Sequence, residues 1–224
     1  MSRGEHGAPA ELVRGCAGVS FDLFGTLVSV ERPDDPAAAI AQELDSRGLT
    51  IPDDWSDAYR EPHLDVKEGG ELPLPDHVTA ALASRDESVV REEIRPTVEA
   101  AVSDAFEGPA EPRPGAEQTI ETLASRRPVA VLSNCAVSGL AEHALQSAGI
   151  DTTAFEAVVT SVDCGWRKPD RRAFAAVAEE LGIEIEDLLH IGDDPRTDGG
   201  ITAVGGTSCI VGDGTLAAWG ERWD

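Results

Sequence analysis

Apolar residues gather in five short runs, at 17–23, 129–133, 157–161, 188–192 and 208–211. Each is about the length of a fully buried strand. The stretches between the later runs, about 115–126, 137–148 and 169–181, show helical spacing and end near Gly149 and Leu181. Buried strands alternating with helices predict a parallel sheet covered on both faces. Residues 31–108 carry no strand pattern and predict four helices: Pro36 to Gly48, Asp53–Val66, Asp76–Ser84 and Glu87–Phe106. The last has a stripe of Val89, Val90, Ile94, Val98, Ala101, Val102 and Ala105. Pro33-Asp34-Asp35-Pro36 reads as a helix start with acids in the first turn. Residues 24–30 are expected as a turn leaving the sheet, 108–114 as a Pro-rich hinge, and 1–14 as a tail or loose first helix.

Composition narrows the partners. The 224 residues are 41% apolar and 27% charged, enough for one globular core and a smaller insertion. A formal net charge of -24 argues against nucleic acid or an anionic membrane as partner. Only Lys67 and Lys168 are lysines among 18 basic residues. Dense carboxylate with scarce lysine is the composition expected of a protein that stays soluble in very high salt. Cys16, Cys135, Cys164 and Cys209 show neither C-x-x-C spacing nor a His cluster, so neither zinc nor a disulfide framework is expected. No apolar leader and no membrane-length run is seen, and a reduced, cytoplasmic protein is the expectation. Trp219 and Trp223 are expected to pack a last helix.

The strand ends carry the chemistry. Asp22 ends the first run and Ser133 the second. Lys168 follows the third, and Asp193, Asp194 and Asp198 follow the fourth. In a parallel sheet these ends share one edge, where such sheets bind ligands. Acids brought together repel unless a cation joins them, and hard oxygen ligands suit Mg²⁺. An ammonium with Mg²⁺ neutralises a phosphoryl group in transfer. The residues alone therefore point to metal-assisted phosphoryl transfer.

The chain resembles the haloacid dehalogenase (HAD) superfamily, in the branch with a helical cap inserted after the first motif. The matching segments are Phe21-Asp22-Leu23-Phe24-Gly25-Thr26-Leu27, Leu132-Ser133-Asn134, Trp166-Arg167-Lys168-Pro169-Asp170 and His190-Ile191-Gly192-Asp193-Asp194-Pro195-Arg196-Thr197-Asp198, in order. Arg113-Pro114-Gly115-Ala116 is similar to the family's re-entry into the core. The resemblance implies a Rossmann-like α/β core, residues 1–30 and 109–224, and an all-helical cap, 31–108. It implies that Asp22 attacks phosphorus to form an aspartyl-phosphate. Thr26, Ser133 and Lys168 would hold the phosphoryl oxygens, and Asn134 would orient substrate or phosphate. Asp22, the backbone carbonyl of Phe24 and Asp193 would ligate Mg²⁺, with Asp198 supporting the metal shell and Asp194 assisting or replacing Asp193.

Phe24 departs from the phosphatase pattern, which places the proton-donating aspartate there. A missing general acid costs about 10²–10⁴ in rate. Haloacid dehalogenases in the superfamily carry an aromatic at this place, because halide leaves without a proton. Their halide-receiving arginine is matched loosely by Arg32, which also reads as a surface residue. Phosphonatases use a cap lysine, and Lys67 stands in a polar stretch that reads as solvated. His63 or His77 could bring a proton from the cap. The expectation is an Mg²⁺-dependent phosphatase acting on a small phosphorylated metabolite, as monomer or homodimer. A metal-independent 2-haloacid dehalogenase and a catalytically weakened binding or regulatory module are carried beside it.

Overall fold

The computed structural model describes residues 9–211 and 216–218. Trp219 and Trp223 lie outside the described residues. A five-stranded, wholly parallel sheet runs in the order β5-β4-β1-β6-β7, with β1 (Gly18–Phe21), β4 (Val129–Ser133), β5 (Ala157–Thr160), β6 (Leu188–Gly192) and β7 (Thr207–Ile210). β1 is central because all four of its residues are buried, with a parallel neighbour on each side. On one sheet face Val19, Phe21, Val129, Val131, Leu189 and Ile191 meet α1 (Pro9–Arg14), α6 (Ala116–Ala124) and α7 (Leu140–Ser147). On the other, Ala130, Leu132 and Leu188 meet Phe174 and Val177 of α9 (Arg171–Glu180). Each fully buried Leu or Phe contributes about 1.5–3 kcal/mol of transfer free energy.

Helices α2 (Pro36–Ser46), α3 (Trp55–Arg60), α4 (Leu74–Ala83) and α5 (Arg91–Phe106) form the second apolar cluster, around Ile40, Leu44, Trp55, Val78, Val98 and Val102. α2 starts where the sequence placed it: Pro36 stands in its first turn and Asp35 accepts a hydrogen bond from the Ala38 N–H at 3.0 Å. The second helix is shorter than expected and stops at Arg60, ahead of Pro62. α5 starts at Arg91 rather than at 87, because Asp86 draws the Ser88 N–H and hydroxyl into a turn. Val90 therefore leaves the expected stripe and is exposed.

Two expected connectors contain strands. Within the turn at 24–30, β2 (Val28–Val30) pairs antiparallel with β3 (Ala110–Pro112), which lies in the Pro-rich stretch. A three-residue strand is too short to show periodicity. Ser161, expected at the end of β5, instead opens the one-turn helix α8 (Ser161–Cys164), capped by Thr160.

Candidate active site

The turn after β1 fixes the Asp22 carboxylate. The Asp22 N–H donates to the Ile191 carbonyl at 2.8 Å, which extends the strand pairing by one residue. The N–H groups of Thr26, Leu27 and Val28 then converge on the Leu23 carbonyl at 3.3, 2.9 and 3.0 Å. Gly25 permits this turn with φ of 92°, and a Cβ there would stand 2.7 Å from Asp193 Oδ2. Gly192 is equally confined, because a Cβ would overlap the Asp198 carboxyl.

Lys168 lies at the centre of the cluster and is 3% exposed. Its Nζ donates to Asp22 Oδ1 at 2.8 Å and to Asp198 Oδ1 at 2.7 Å, with His190 Nε2 at 3.3 Å. Asn134 holds the lysine's backbone at both ends: its Nδ2 donates to the Lys168 carbonyl at 3.0 Å, and its Oδ1 accepts from the Lys168 N–H at 2.8 Å. The Thr26 hydroxyl lies 3.3 Å from Asp22 Oδ2 and 3.2 Å from Asp193 Oδ1. One oxygen each from Asp22, Asp193 and Asp198 falls within 4.8 Å of the others. Ser133 Oγ is buried at the end of β4 and has no hydrogen-bond partner among the described residues.

Burial raises the Asp22 carboxyl to about 6; the Lys168 ammonium pulls against this, while Asp198 and Asp193 add to it. Burial, reinforced by the Lys168 charge, drives His190 down to about 4. The ring is then neutral at neutral pH, and it sits 2.8 Å from Ser20 Oγ through Nδ1 and 3.1 Å from Asp198 Oδ1 through Nε2. Burial also acts to raise Asp198, but the hydrogen bond to His190 and the Lys168 charge outweigh it and hold this carboxyl far below the usual range.

Asp22, Thr26, Lys168, Asp193 and Asp198 are thus brought together, and Ser133 is buried at the same sheet edge. Asp194 does not join them. Its carboxylate accepts from the Arg196 N–H at 2.8 Å and Nη2 at 3.1 Å, and only its backbone N–H turns inward, to Asp198 Oδ2. Asn134 spends its side chain on the Lys168 backbone rather than on open space. His190 was missed by the sequence reading. The signal was there: Ser20 and His190 are polar residues within buried strands, and they pair across β1 and β6.

Phe24 belongs to both the sheet cluster and the helical cluster. The Arg32 guanidinium carbon lies 5.2 Å from the centre of its ring. The two line a solvent-open cavity of about 180 Å³ with Leu74, Phe106, Asn134 and His143. His63 and His77 are not on its wall; their Nε2 atoms donate to the Ala58 and Tyr59 carbonyls, each at 2.6 Å. Lys67 is exposed. Cys135 is buried and Cys164 half-buried, and both thiols are pushed up by burial.

A family model described as haloacid dehalogenase-like hydrolase matches residues 16–201. The chain belongs to the haloacid dehalogenase-like hydrolase family. It is a hydrolase of α/β fold. No curated protein matches this HAD-like chain. Among solved structures, a 2-haloacid dehalogenase from Pseudomonas syringae pv. Tomato DC3000 is similar at 17% identity and TM-score 0.61, over 87% of this chain and 86% of that one. A HAD family enzyme from Bacteroides thetaiotaomicron, in complex with magnesium and inorganic phosphate, is similar at 16% identity and TM-score 0.57, over 88% and 94%. A predicted phosphoglycolate phosphatase from Haemophilus somnus 129PT is similar at 19% identity and TM-score 0.55, over 88% and 85%. These likenesses speak for the HAD fold. Among the described residues no helix is long and apolar enough to cross a membrane.

Proposed function

We propose that the protein is an Mg²⁺-dependent phosphatase of small phosphorylated metabolites, working through an aspartyl-phosphate on Asp22. Residues 31–108 form its cap, and residues 1–30 with 109–224 its core. The observation that carries this reading is the donor set: three carboxylates within 4.8 Å, two of them sharing one Thr26 hydroxyl, beside a buried serine hydroxyl with no partner among the described residues. Thr26 has a single proton to give, so Asp22 and Asp193 stay close at a repulsive cost that a divalent cation removes. An all-oxygen set fits Mg²⁺. Asp22, Asp193 and the Phe24 carbonyl would hold it, with Asp198 in support. When bound, it would neutralise charge on the transferring phosphoryl group.

The chain's own residues do the rest. Asp22 donates an electron pair to phosphorus, and the bond from phosphorus to the leaving-group oxygen breaks. Lys168, Ser133 and Thr26 donate hydrogen bonds to the phosphoryl oxygens. Water then attacks phosphorus, and the bond to Asp22 breaks to release phosphate and restore the carboxylate. Asp198 holds Lys168 against Asp22 throughout, and neutral His190 backs Asp198. Phe24 has no proton to give, so the reaction favours a leaving group that departs as a stable anion. The cavity beside Phe24 receives that group.

The aromatic side chain at Phe24 and the nearby Arg32 favour a second reading, metal-independent 2-haloacid dehalogenation. Loss of the acid also supports a third, a weakened binding or regulatory module. The acidic, lysine-poor composition supports work in high salt; the proposal takes the protein as cytoplasmic, a monomer or homodimer. Metal-stripped protein assayed on p-nitrophenyl phosphate and on 2-chloropropionate separates the three. Phosphate release restored by MgCl₂ and abolished by Asp22→Asn is the expected result. Chloride release without metal would replace it with dehalogenation. Ligand binding with neither release would leave the binding module.

A further inference from the structure

The helical segment reaches into the core through one buried carboxylate, that of Glu71. The loop after α3 is stitched to the core at two places. Gly70 and Trp166 form an isolated antiparallel bridge, in which the Glu71 N–H donates to the Gly165 carbonyl at 3.0 Å and the Arg167 N–H to the Gly69 carbonyl at 2.9 Å. Farther on, the Leu74 N–H donates to the Ala136 carbonyl at 2.9 Å.

Between these stitches the Glu71 side chain turns inward and is 2% exposed. Its carboxylate accepts from the Ser161 hydroxyl, from Arg167 Nη1 at 3.3 Å and from the Leu72 N–H at 2.9 Å. A carboxylate removed from water costs several kcal/mol unless such partners repay it. Both side-chain partners lead to the same lysine. Arg167 is bonded directly to Lys168. Ser161 Oγ accepts from the Cys135 N–H at 2.9 Å, and Asn134, one residue earlier, grips the Lys168 backbone. Two short paths thus run from Glu71 to the ammonium that touches both Asp22 and Asp198.

We infer that Glu71 is a positioning residue, the latch through which the seated helical segment holds Lys168 on Asp22 and Asp198. Release of the latch lets the 166–169 loop relax and frees the lysine from the acids. The inference rests on the phosphatase reading only for its effect on turnover. Its structural content is independent of any reaction.

The chain's two lysines make the test clean. Lys168 is buried and Lys67 is exposed, so acylation by an amine-reactive reagent, read by mass spectrometry, reports Lys168 against an internal reference. In Glu71→Ala, acylation of Lys168 relative to Lys67 is expected to rise about tenfold, as local opening exposes it. Glu71→Gln keeps an acceptor for Ser161 and is expected to restore most of the protection. Ser161→Ala cuts the same path from the core side and stands in if Glu71→Ala does not fold. If wild type hydrolyses p-nitrophenyl phosphate, kcat falls about tenfold in Glu71→Ala with KM little changed. A wild type inert on phosphate esters removes the phosphatase reading and leaves the labelling result to decide the latch. Unchanged Lys168 protection in Glu71→Ala overturns the latch. So does a rise matched by faster amide exchange throughout β1, which would mean general loosening.

Discussion

The two sides of Phe24 are built in opposite ways. Toward the sheet edge lies a packed knot of charge, where Lys168, Asp198, His190, Asp193 and Thr26 are all within hydrogen-bond reach of a neighbour. Toward the helices lies an open, largely apolar cavity walled by Phe24, Leu74, Phe106 and Leu140, with Arg32 and His143 among its polar residues. The first side is fixed before any substrate arrives, as electrostatic stabilisation of a transition state requires. The second supplies shape. Under the phosphatase proposal, the contrast means that the group transferred is specified rigidly while the group that leaves is not, and Phe24 stands on the boundary.

The largest way to break that contrast is Phe24→Asp. It puts a carboxylate on the apolar side, two residues from Asp22, the proposed nucleophile. If the knot is competent and only an acid is missing, hydrolysis of alkyl phosphates rises by about 10²–10⁴. Esters with good leaving groups gain little, since they need no proton. The measurement is kcat/KM against leaving-group pKa for both proteins: a steep wild-type dependence should flatten in Phe24→Asp. Equal, small changes across the whole series would show that the knot itself lacks phosphoryl-transfer power.

That asymmetry also governs how much the sequence disclosed. The knot was legible because its members sit at strand ends or in the loops that follow them, and strand ends follow directly from buried apolar runs. Asp22, Ser133 and Asp193 could be placed by that rule alone, and Lys168 as the lysine of the loop after the third run. Asp194 was not told apart from Asp193 because sequence shows adjacency but not direction; Arg196, two residues on, captures its carboxylate. His190 was overlooked because a histidine in a buried strand reads as filler until Ser20 is seen beside it. The apolar side was not legible. Its walls come from the 30–32 and 106–108 connections, Leu74 and α7, far apart in the chain and joined only by tertiary packing. The same holds for Glu71, whose partners lie 90 and 96 residues away.

A middle-sized effect concerns stability. Folding raises the Asp22 carboxyl from 3.8 to about 6, so in metal-free protein the folded state binds a proton more tightly than the unfolded chain. Above pH 6 the buried charge therefore costs about 2–3 kcal/mol, and below pH 4 it costs nothing. Metal-free Asp22→Asn is expected to be more stable than wild type by about that amount at pH 7, with the gain vanishing as pH falls through 6 to 4. His190 acts the other way, since its lowered value makes acid destabilising between about 6.5 and 4. Comparing the variant with wild type at each pH cancels the histidine. Denaturant melts across pH 4–8 provide the check, and a destabilised Asp22→Asn at pH 7 would mean that the Lys168 pairing outweighs burial.

The smallest expected effect tests where the knot ends. Asp193 and Asp194 are neighbours, yet one faces the Thr26 hydroxyl and the other faces Arg196 in solvent. Asp194→Ala keeps the inward backbone N–H that serves Asp198, and removes only the exposed contacts to Arg196, its ion pair and its backbone N–H bond. Exposed pairs contribute little, so turnover and metal affinity should stay within about twofold of wild type. Asp193→Ala removes an oxygen from the cluster and should weaken Mg²⁺ activation strongly. Titrating MgCl₂ against turnover in both variants reads the difference. A tenfold loss of Mg²⁺ affinity in Asp194→Ala would show that the 193–198 loop turns when metal binds, so that the charged side of Phe24 is less fixed than its hydrogen bonds imply.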